Sequence, residues 1–257
     1  MDCNHNGATA AAKTAFRASI EGDKNVNIFK DARVVATLFG FAIFGGVVSH
    51  LRQTPFLLPV DLYLVAWHES MHALGAWLSG GTVHSIEVRA HDGVTWTSGG
   101  FFPLIAMAGY VGTSLWGASL LASARRPKLI LPMRLLTVAL PPLAMLFGNG
   151  ISLSMVAVIA ISAGLFFAWR LFPSPVTFVV SGLFASDSWR DVQMYLFSVP
   201  GKTDAGILAG HLGMQFLTLP IALSMALMSV FIWWTAFKYT HPPRSDHRSP
   251  SAPEIKV

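Results

Sequence analysis

Two histidines four residues apart, His68 and His72, lie inside an otherwise apolar stretch that reads LYLVAWHESMHALGAWL over residues 62–78. On a helix, side chains at positions i and i+4 lie one above the other, so both imidazoles can reach one point in space. Two such nitrogens can bind a metal ion. Glu69 follows the first histidine directly, and in an H-E-x-x-H arrangement this carboxylate lies beside the metal without binding it. The spacing predicts a metal site with a general base next to it.

The apolar setting of these residues strengthens the prediction. Asp61, His68, Glu69 and His72 share one segment, and an ionisable side chain at a bilayer centre costs about 2.5 to 3.5 kcal/mol. Such a cluster requires partners or a bound ion. The alternative is a polar cluster that hydrogen-bonds neighbouring helices or lines a path for protons or ions.

The composition places this segment in a membrane. Of 257 residues, 53% are hydrophobic and only 12% are charged, which is typical of an integral protein with several spans in contact with lipid. The net charge of +5 lies mostly in the ends and short connections, which indicates interfacial anchoring and no nucleic-acid partner. Cys3 is the single cysteine, so the chain has no internal disulfide and its metal ligands are nitrogen and oxygen atoms.

The chain divides into three predicted regions: a polar arm over residues 1–32, an integral membrane domain over 33–238 and a disordered tail over 239–257. The apolar stretches of the domain predict an all-α fold, a polytopic bundle of about six transmembrane helices. The third of these stretches contains Gly109, Gly112 and Gly117. We interpret these small residues as positions where helices pack closely.

Two segments do not fit a simple span. Residues 178–197 mix apolar side chains with Asp187, Arg190 and Asp191, a pattern that favours an interfacial helix. Residues 203–238 are longer than a bilayer requires. Their glycines predict a break, which would make the part that contains Asp204 and His211 a separate piece.

After Gly81 the apolar pattern changes from helical to alternating. Ile86 and Val88 lie on one face, Asp92-Gly93 predicts a tight turn, and Val94 continues on the return strand. This pattern predicts a short β-hairpin directly after the metal-binding helix. The hairpin is either a simple exposed connector or an edge strand that holds an extended peptide, with Ile86, Val88 and Val94 as substrate-binding residues.

Taken in order, five sequence blocks resemble the site-2 protease family of intramembrane zinc metallopeptidases, and more closely its branch of small multi-span proteins. The blocks are AWHESMHALGAWLSGG, SIEVRAHDGVTWTSGG, AGYVGTSLWG, SDSWRDVQMYLF and KTDAGILAGHLG, and they lie within residues 66–213. The resemblance implies one zinc ion per chain, bound by His68, His72 and Asp204, with Glu69 as the catalytic base.

The third ligand and the role of Asp61 remain open from the residues alone. The larger family has its late aspartate in a Leu-Asp-Gly sequence, whereas Asp204 lies between Thr203 and Ala205. Asp204, Asp191 or His211 could complete a tetrahedral site with an open fourth position. Asp61 lies seven residues before His68 on a similar face, and it either orients a histidine by hydrogen bonding or lies near the entry to the site.

The function that the resemblance implies is hydrolysis of peptide bonds in membrane-embedded proteins or peptides. One alternative is a catalytically inactive membrane scaffold that binds zinc. A transporter or proton path is a further alternative, although the sequence lacks the internal repeat that many transporters show.

Overall fold

A computed structural model describes residues 32–52, 54–146, 152–187 and 203–240. The chain divides into two compact units, Met1–Thr37 and Leu38–Val257, and every residue of the candidate site belongs to the second. The predicted polar arm and disordered tail lie outside the described residues, except for Ala32, Tyr239 and Thr240.

The described part of the chain forms eight helices and one hairpin. The helices are α1 (Ala32–Leu51), α2 (Leu58–Leu78), α3 (Phe102–Ser123), α4 (Pro127–Leu146), α5 (Leu153–Leu171), α6 (Pro173–Asp187), α7 (Asp204–His211) and α8 (Thr218–Thr240). The strands β1 (Thr82–Arg89) and β2 (Asp92–Ser98) pair in antiparallel fashion between α2 and α3. The predicted hairpin after the helix that carries the H-E-x-x-H motif is therefore confirmed.

Four of the described helices are long and apolar enough to cross a membrane. They are Phe102–Ser123, Pro127–Leu146, Leu153–Leu171 and Gln215–Thr240. Because about 20 apolar residues cross the hydrocarbon core, the protein is an integral membrane protein with several crossings. The helix that carries the histidines, α2, is not among the four, since its ionisable side chains lower its mean hydropathy. The total of six crossings stays a prediction.

The central helix of the second unit is α2. Nearly every residue from Asp61 to Ala76 is buried, and the helix packs against the hairpin, α3, α4 and α5. A helix covered on all sides belongs to the interior of a bundle. Trp67 is fully buried, and the centroid of its ring lies 5.1 Å from the ring centroid of Trp116 and 5.2 Å from that of Phe184. These aromatic contacts fix the rotation of α2 and thus the direction of its histidines.

The neighbouring helix α3 approaches α2 and α6 very closely. A Cβ atom on Gly75 of α2 would lie 2.9 Å from the Cβ of Ala108, and one on Gly117 would lie 2.6 Å from the Cβ of Phe184. For Gly117, the predicted role in close packing is confirmed. Residues Ala108–Gly112 of α3 form a π-helical turn, a feature that is common at functional sites.

The interfacial interpretation of residues 178–197 is wrong for the part that the structure describes. Helix α6 packs into the core, where Val180, Phe184 and Asp187 are buried. Its 15 residues extend only about 22 Å at 1.5 Å per residue, which is less than the bilayer core. The aspartate that suggested a water-facing surface is instead buried against Arg52 and His68. Residues 188–202 lie outside the described part.

The tight turn of the hairpin also differs from the prediction. Arg89 pairs with Asp92 and Val88 with Gly93, so the turn residues are Ala90 and His91, and His91 has a φ of 62°. Gly93 lies in β2, where a Cβ atom would come within 2.8 Å of Val65 and even closer to Glu69. The glycine that suggested a turn therefore allows β2 to contact α2.

Helix α7 is a separate piece, as the glycines between residues 203 and 213 predicted. Its N-cap is Thr203, whose side-chain oxygen accepts a hydrogen bond from the amide of Gly206 at 3.1 Å. This capping places Asp204 in the first turn, where the helix dipole favours a negative charge. The chain turns at Gly213, which has a φ of 69°, before α8 begins.

Candidate metal centre

Three potential ligand atoms converge between α2 and α7. The Nε2 atoms of His68 and His72 are 3.0 Å apart. The Oδ2 atom of Asp204 lies 3.0 Å from the first nitrogen and 3.2 Å from the second. Both histidines are buried. The structure thus brings together the two histidines of the motif and the aspartate that the resemblance selected.

The hydrogen bonds of the two Nδ1 atoms determine whether the facing Nε2 atoms can bind a metal ion. The Nδ1 atom of His68 lies 3.1 Å from a carboxylate oxygen of Asp187, and that of His72 lies 2.6 Å from the carbonyl oxygen of Ile105. Both oxygens accept hydrogen bonds, so each Nδ1 carries a proton and donates it. In a neutral imidazole the Nε2 atom then offers a lone pair. Three lone-pair atoms then face one another, an arrangement that either a metal ion between them or protonation of the imidazoles would stabilise.

Zinc fits this set of donors. In tetrahedral sites, ligand nitrogen and oxygen atoms lie roughly 2.0–2.2 Å from the ion, which separates them from one another by about 3.3–3.6 Å. The three observed separations of 3.0, 3.0 and 3.2 Å are slightly shorter than this range. Two imidazoles with one carboxylate are a common zinc ligand set in catalytic sites, and three protein ligands leave a position for a reactant.

Gly109, in the π-helical turn of α3, keeps space free beside the two nitrogens. A Cβ atom at this position would lie 2.5 Å from the Nε2 atoms of both His68 and His72. Any other residue would therefore fill the space that an ion and its fourth ligand need. The next residue, Tyr110, packs its ring against His68 with 4.3 Å between the ring centroids. The sequence interpretation of Gly109 as a helix-packing residue missed its position beside the two histidines. The one signal in the sequence was that Gly109 is a small residue in the third predicted span.

Glu69 lies beside the three atoms and is held by the hairpin. Ligand atoms of His68, Glu69 and His72 all fall within 4.8 Å of one another. The hydroxyl of Thr95 donates to Oε2 of Glu69 at 2.7 Å, and a Cβ atom on Gly93 would lie 2.6 Å from Oε1. Asp204 contacts both imidazoles, whereas Glu69 is hydrogen-bonded to β2.

A buried chain of charged groups extends from His68 to the hairpin turn. Asp187 accepts from Nη1 of Arg52 at 3.0 Å, and Nε of Arg52 donates to Asp61 at 2.7 Å. The backbone amide of His91 donates to the other oxygen of Asp61 at 2.9 Å. Sequence reasoning did not select Asp187 as a site residue, although an aspartate in the apolar run SGLFASD was a usable signal.

The remaining predicted residues take other places. Asp61 contacts Arg52 and His91, and it is linked to His68 through Arg52 and Asp187. His211 is exposed at the far end of α7, where its ring stacks on Phe102 at 4.1 Å. Asp191 lies outside the described residues.

Three hairpin residues were predicted to bind substrate. The side chains of Ile86 and Val88 are buried in the core, and that of Val94 is half-buried.

Comparison with protein families matches residues 38–237 to the peptidase M50B-like family. The chain belongs to this family. The match covers α2, the hairpin and α7, so every residue of the centre lies in the M50B-like region. The resemblance to site-2 proteases is confirmed at the level of the family. No curated protein and no solved structure matched the chain.

Proposed function

We propose that this M50B-like protein is an intramembrane zinc metalloprotease, which hydrolyses peptide bonds of membrane-embedded proteins or peptides. The observation that carries the proposal is the convergence of His68 Nε2, His72 Nε2 and Asp204 Oδ2, with both Nδ1 atoms engaged as donors. One zinc ion per chain occupies this position. The match to a peptidase family supports hydrolysis of a peptide bond.

The balance of buried charge around the centre supports a dication. Asp61, Glu69 and Asp187 are buried, and the side chain of Asp204 is 17% exposed. Among the described residues, Arg52 is the one arginine or lysine buried with them. Four carboxylates and one guanidinium leave a formal charge of minus three, of which zinc offsets two. Protonation of both imidazoles would supply the same charge without a metal, and zinc analysis separates the two cases.

The protein groups around the ion perform the proton transfers. Bound zinc supplies a Lewis acid that activates water and polarises a carbonyl group. Glu69 accepts the proton of the attacking water and later donates it to the amine leaving group, as a general base and then a general acid. The hydrogen bond from Thr95 holds one oxygen of this carboxylate, which fixes its direction for both transfers.

The hairpin is the proposed substrate-binding element. In the part of the chain that the structure describes, β2 pairs only with β1, so its outer edge is available to an extended peptide. The peptide lies next to Glu69, since Thr95 and Gly93 of β2 both contact that residue. Ile86 and Val88 contribute by anchoring the hairpin on the core, and Val94 lies at the proposed binding strand.

The same proposal includes the predicted bundle of about six crossings. It adds α1 and α2 to the four described spans. Burial of α2 on all sides allows its polar residues to lie at membrane depth without contacting lipid, because neighbouring helices surround them. The partners of the protein are accordingly membrane lipid and a membrane-embedded substrate.

Zinc removal tests the proposal directly. Protein extracted in mild detergent is expected to contain about one zinc per chain. In liposomes it is expected to cleave members of a panel of single-span peptides whose apolar segments have randomised sequences, with products identified by mass spectrometry. Treatment with 1,10-phenanthroline is expected to abolish cleavage, and added zinc to restore it, because the Lewis acid and the activated water depend on the ion.

The other results of this experiment have distinct meanings. Stoichiometric zinc with no cleavage of any peptide would favour the inactive scaffold. Ion flux across the liposome membrane without tightly bound zinc would favour transport. Cleavage that persists unchanged after the zinc has been removed would contradict the proposed mechanism.

Replacement of Thr95 tests how the hairpin positions the base. Thr95→Val removes the hydroxyl that donates to Glu69 and keeps the shape of the side chain. Loss of one such hydrogen bond costs about 1–1.5 kcal/mol, so kcat is expected to fall about tenfold. Zinc content is expected to stay unchanged. Thr95→Ser, which keeps the hydroxyl, is expected to restore kcat, and equal activity of the valine and serine variants would contradict this role.

A further inference from the structure

The two histidines of the centre are held by different kinds of acceptor. His72 donates its outer proton to a backbone carbonyl, that of Ile105. His68 donates to the side chain of Asp187, which comes from another helix and is fully buried. A carboxylate that accepts from a metal-binding histidine fixes the orientation and tautomer of the ring and makes its other nitrogen a stronger donor to the metal.

The carboxylate of Asp187 is itself held in place. Its second oxygen accepts from Nη1 of Arg52 at 3.0 Å, and Nε of Arg52 donates to Asp61 at 2.7 Å. All three groups are buried, with exposed fractions of 3% or less. A carboxylate at such a site is expensive unless a cation is paired with it. Arg52 therefore holds the carboxylate of Asp187 with its other oxygen directed at His68.

We infer that Asp187, held by Arg52, is the positioning residue that orients His68 for zinc. Asp61 extends the contact to the hairpin, since it also accepts from the backbone amide of His91. The inference rests on the proposed zinc centre. It assigns roles to Asp187 and Arg52, two residues outside the H-E-x-x-H motif. The orientation of His68 then depends on the side chain of Asp187, whereas that of His72 depends on a backbone carbonyl.

A purely structural ion pair is the competing explanation. Arg52 connects the segment between α1 and α2 with α6, and this link could stabilise the fold without affecting zinc. The two explanations differ in what they predict for metal affinity. A structural pair alters the unfolding of the protein, whereas a positioning pair alters zinc binding by folded protein.

Asp187→Asn provides the test. His68 and Arg52 bond to different oxygens of the carboxylate, and the amide replaces one of these oxygens with an NH2 group, which cannot accept a hydrogen bond. We expect zinc affinity, measured on the full chain in detergent by competition with a chelator, to fall about ten- to a hundredfold. The absorption spectrum of the Co²⁺-substituted protein is expected to shift, because the orientation of one ligand changes. Ser186→Ala is the matched control, since among the described residues the hydroxyl of this buried neighbour donates to the carbonyl oxygen of Leu183 within α6.

A second variant keeps the inference testable if Asp187→Asn does not fold. Arg52→Lys retains the positive charge but cannot reproduce the separate contacts of Nε and Nη1, and zinc affinity is expected to fall severalfold. In a double variant, the two losses are expected to combine to less than their product, because both act through one hydrogen bond. Wild-type zinc affinity and Co²⁺ spectrum in either folded variant would overturn the inference. Absence of zinc from the wild type would instead refute the proposed function.

Discussion

Glu69→Gln is expected to leave zinc content unchanged and to lower the cleavage rate by about 10²- to 10⁴-fold. Glutamine has nearly the shape of glutamate, and its carbonyl oxygen can accept the hydrogen bond that Thr95 now donates to Oε2. The amide cannot accept the proton of the attacking water. Zinc is expected to remain because the three proposed ligand atoms belong to His68, His72 and Asp204. The measurements are elemental analysis and cleavage of single-span peptides in liposomes.

Two control variants separate loss of the base from other causes of inactivity. Glu87→Gln makes the same change at the less buried glutamate of the hairpin, which pairs with Arg89, and it is expected to retain full activity. His68→Ala removes a ligand and is expected to lose both zinc and cleavage. If Glu69→Gln cleaved every accepted peptide at the wild-type rate, the assignment of Glu69 as the base would be wrong.

Local spacing was enough to predict the parts of the site that lie on one element. His68, Glu69 and His72 are separated by at most four positions, so helical geometry alone places them together. The hairpin followed from alternating apolar residues, and the separate α7 followed from its glycines. In each case the information lies within about ten residues of the chain.

Contacts between distant elements could not be predicted in this way. The bond between His68 and Asp187 joins residues 119 positions apart, and no local pattern reports such a contact. For the same reason, Asp187 suggested an interfacial helix, because a charged residue indicates water unless its partners are known. Asp204 was selected by family resemblance, and the residues alone left Asp191 and His211 as alternatives.

Gly93 and Gly109 show a related limit. Glycine indicates a turn in one sequence context and close helix packing in another. In this fold each glycine lies against a side chain of the centre: Gly93 against Glu69 and Gly109 against both histidines. The sequence shows the position of each glycine, and only the fold shows which side chain lies against it.

Gly109→Ala is expected to cause loss of zinc, although the variant keeps all three proposed ligands. The added methyl group would lie 2.5 Å from the Nε2 atoms of His68 and His72, so the rings must separate or the π-helical turn must move. Either shift breaks the triangle that the three ligand atoms form. We expect zinc affinity to fall by at least about a hundredfold, which exceeds the usual effect of changes that leave the ligands intact. Overpacking is also expected to lower the stability of the zinc-free protein by about 1–3 kcal/mol.

Gly112→Ala separates blocking of the metal site from a general disturbance of α3. Gly112 belongs to the same π-helical turn, but its added Cβ would lie 3.3 Å from both the Cβ and the Sδ atom of Met71, a contact that a shift of a few tenths of an ångström relieves. This variant is expected to bind zinc with nearly wild-type affinity. Equal loss in both variants would mean that the turn tolerates no side chain and that Gly109 has no special relation to the metal. Wild-type zinc affinity in Gly109→Ala would contradict the proposed position of the ion, since its space would then lie elsewhere.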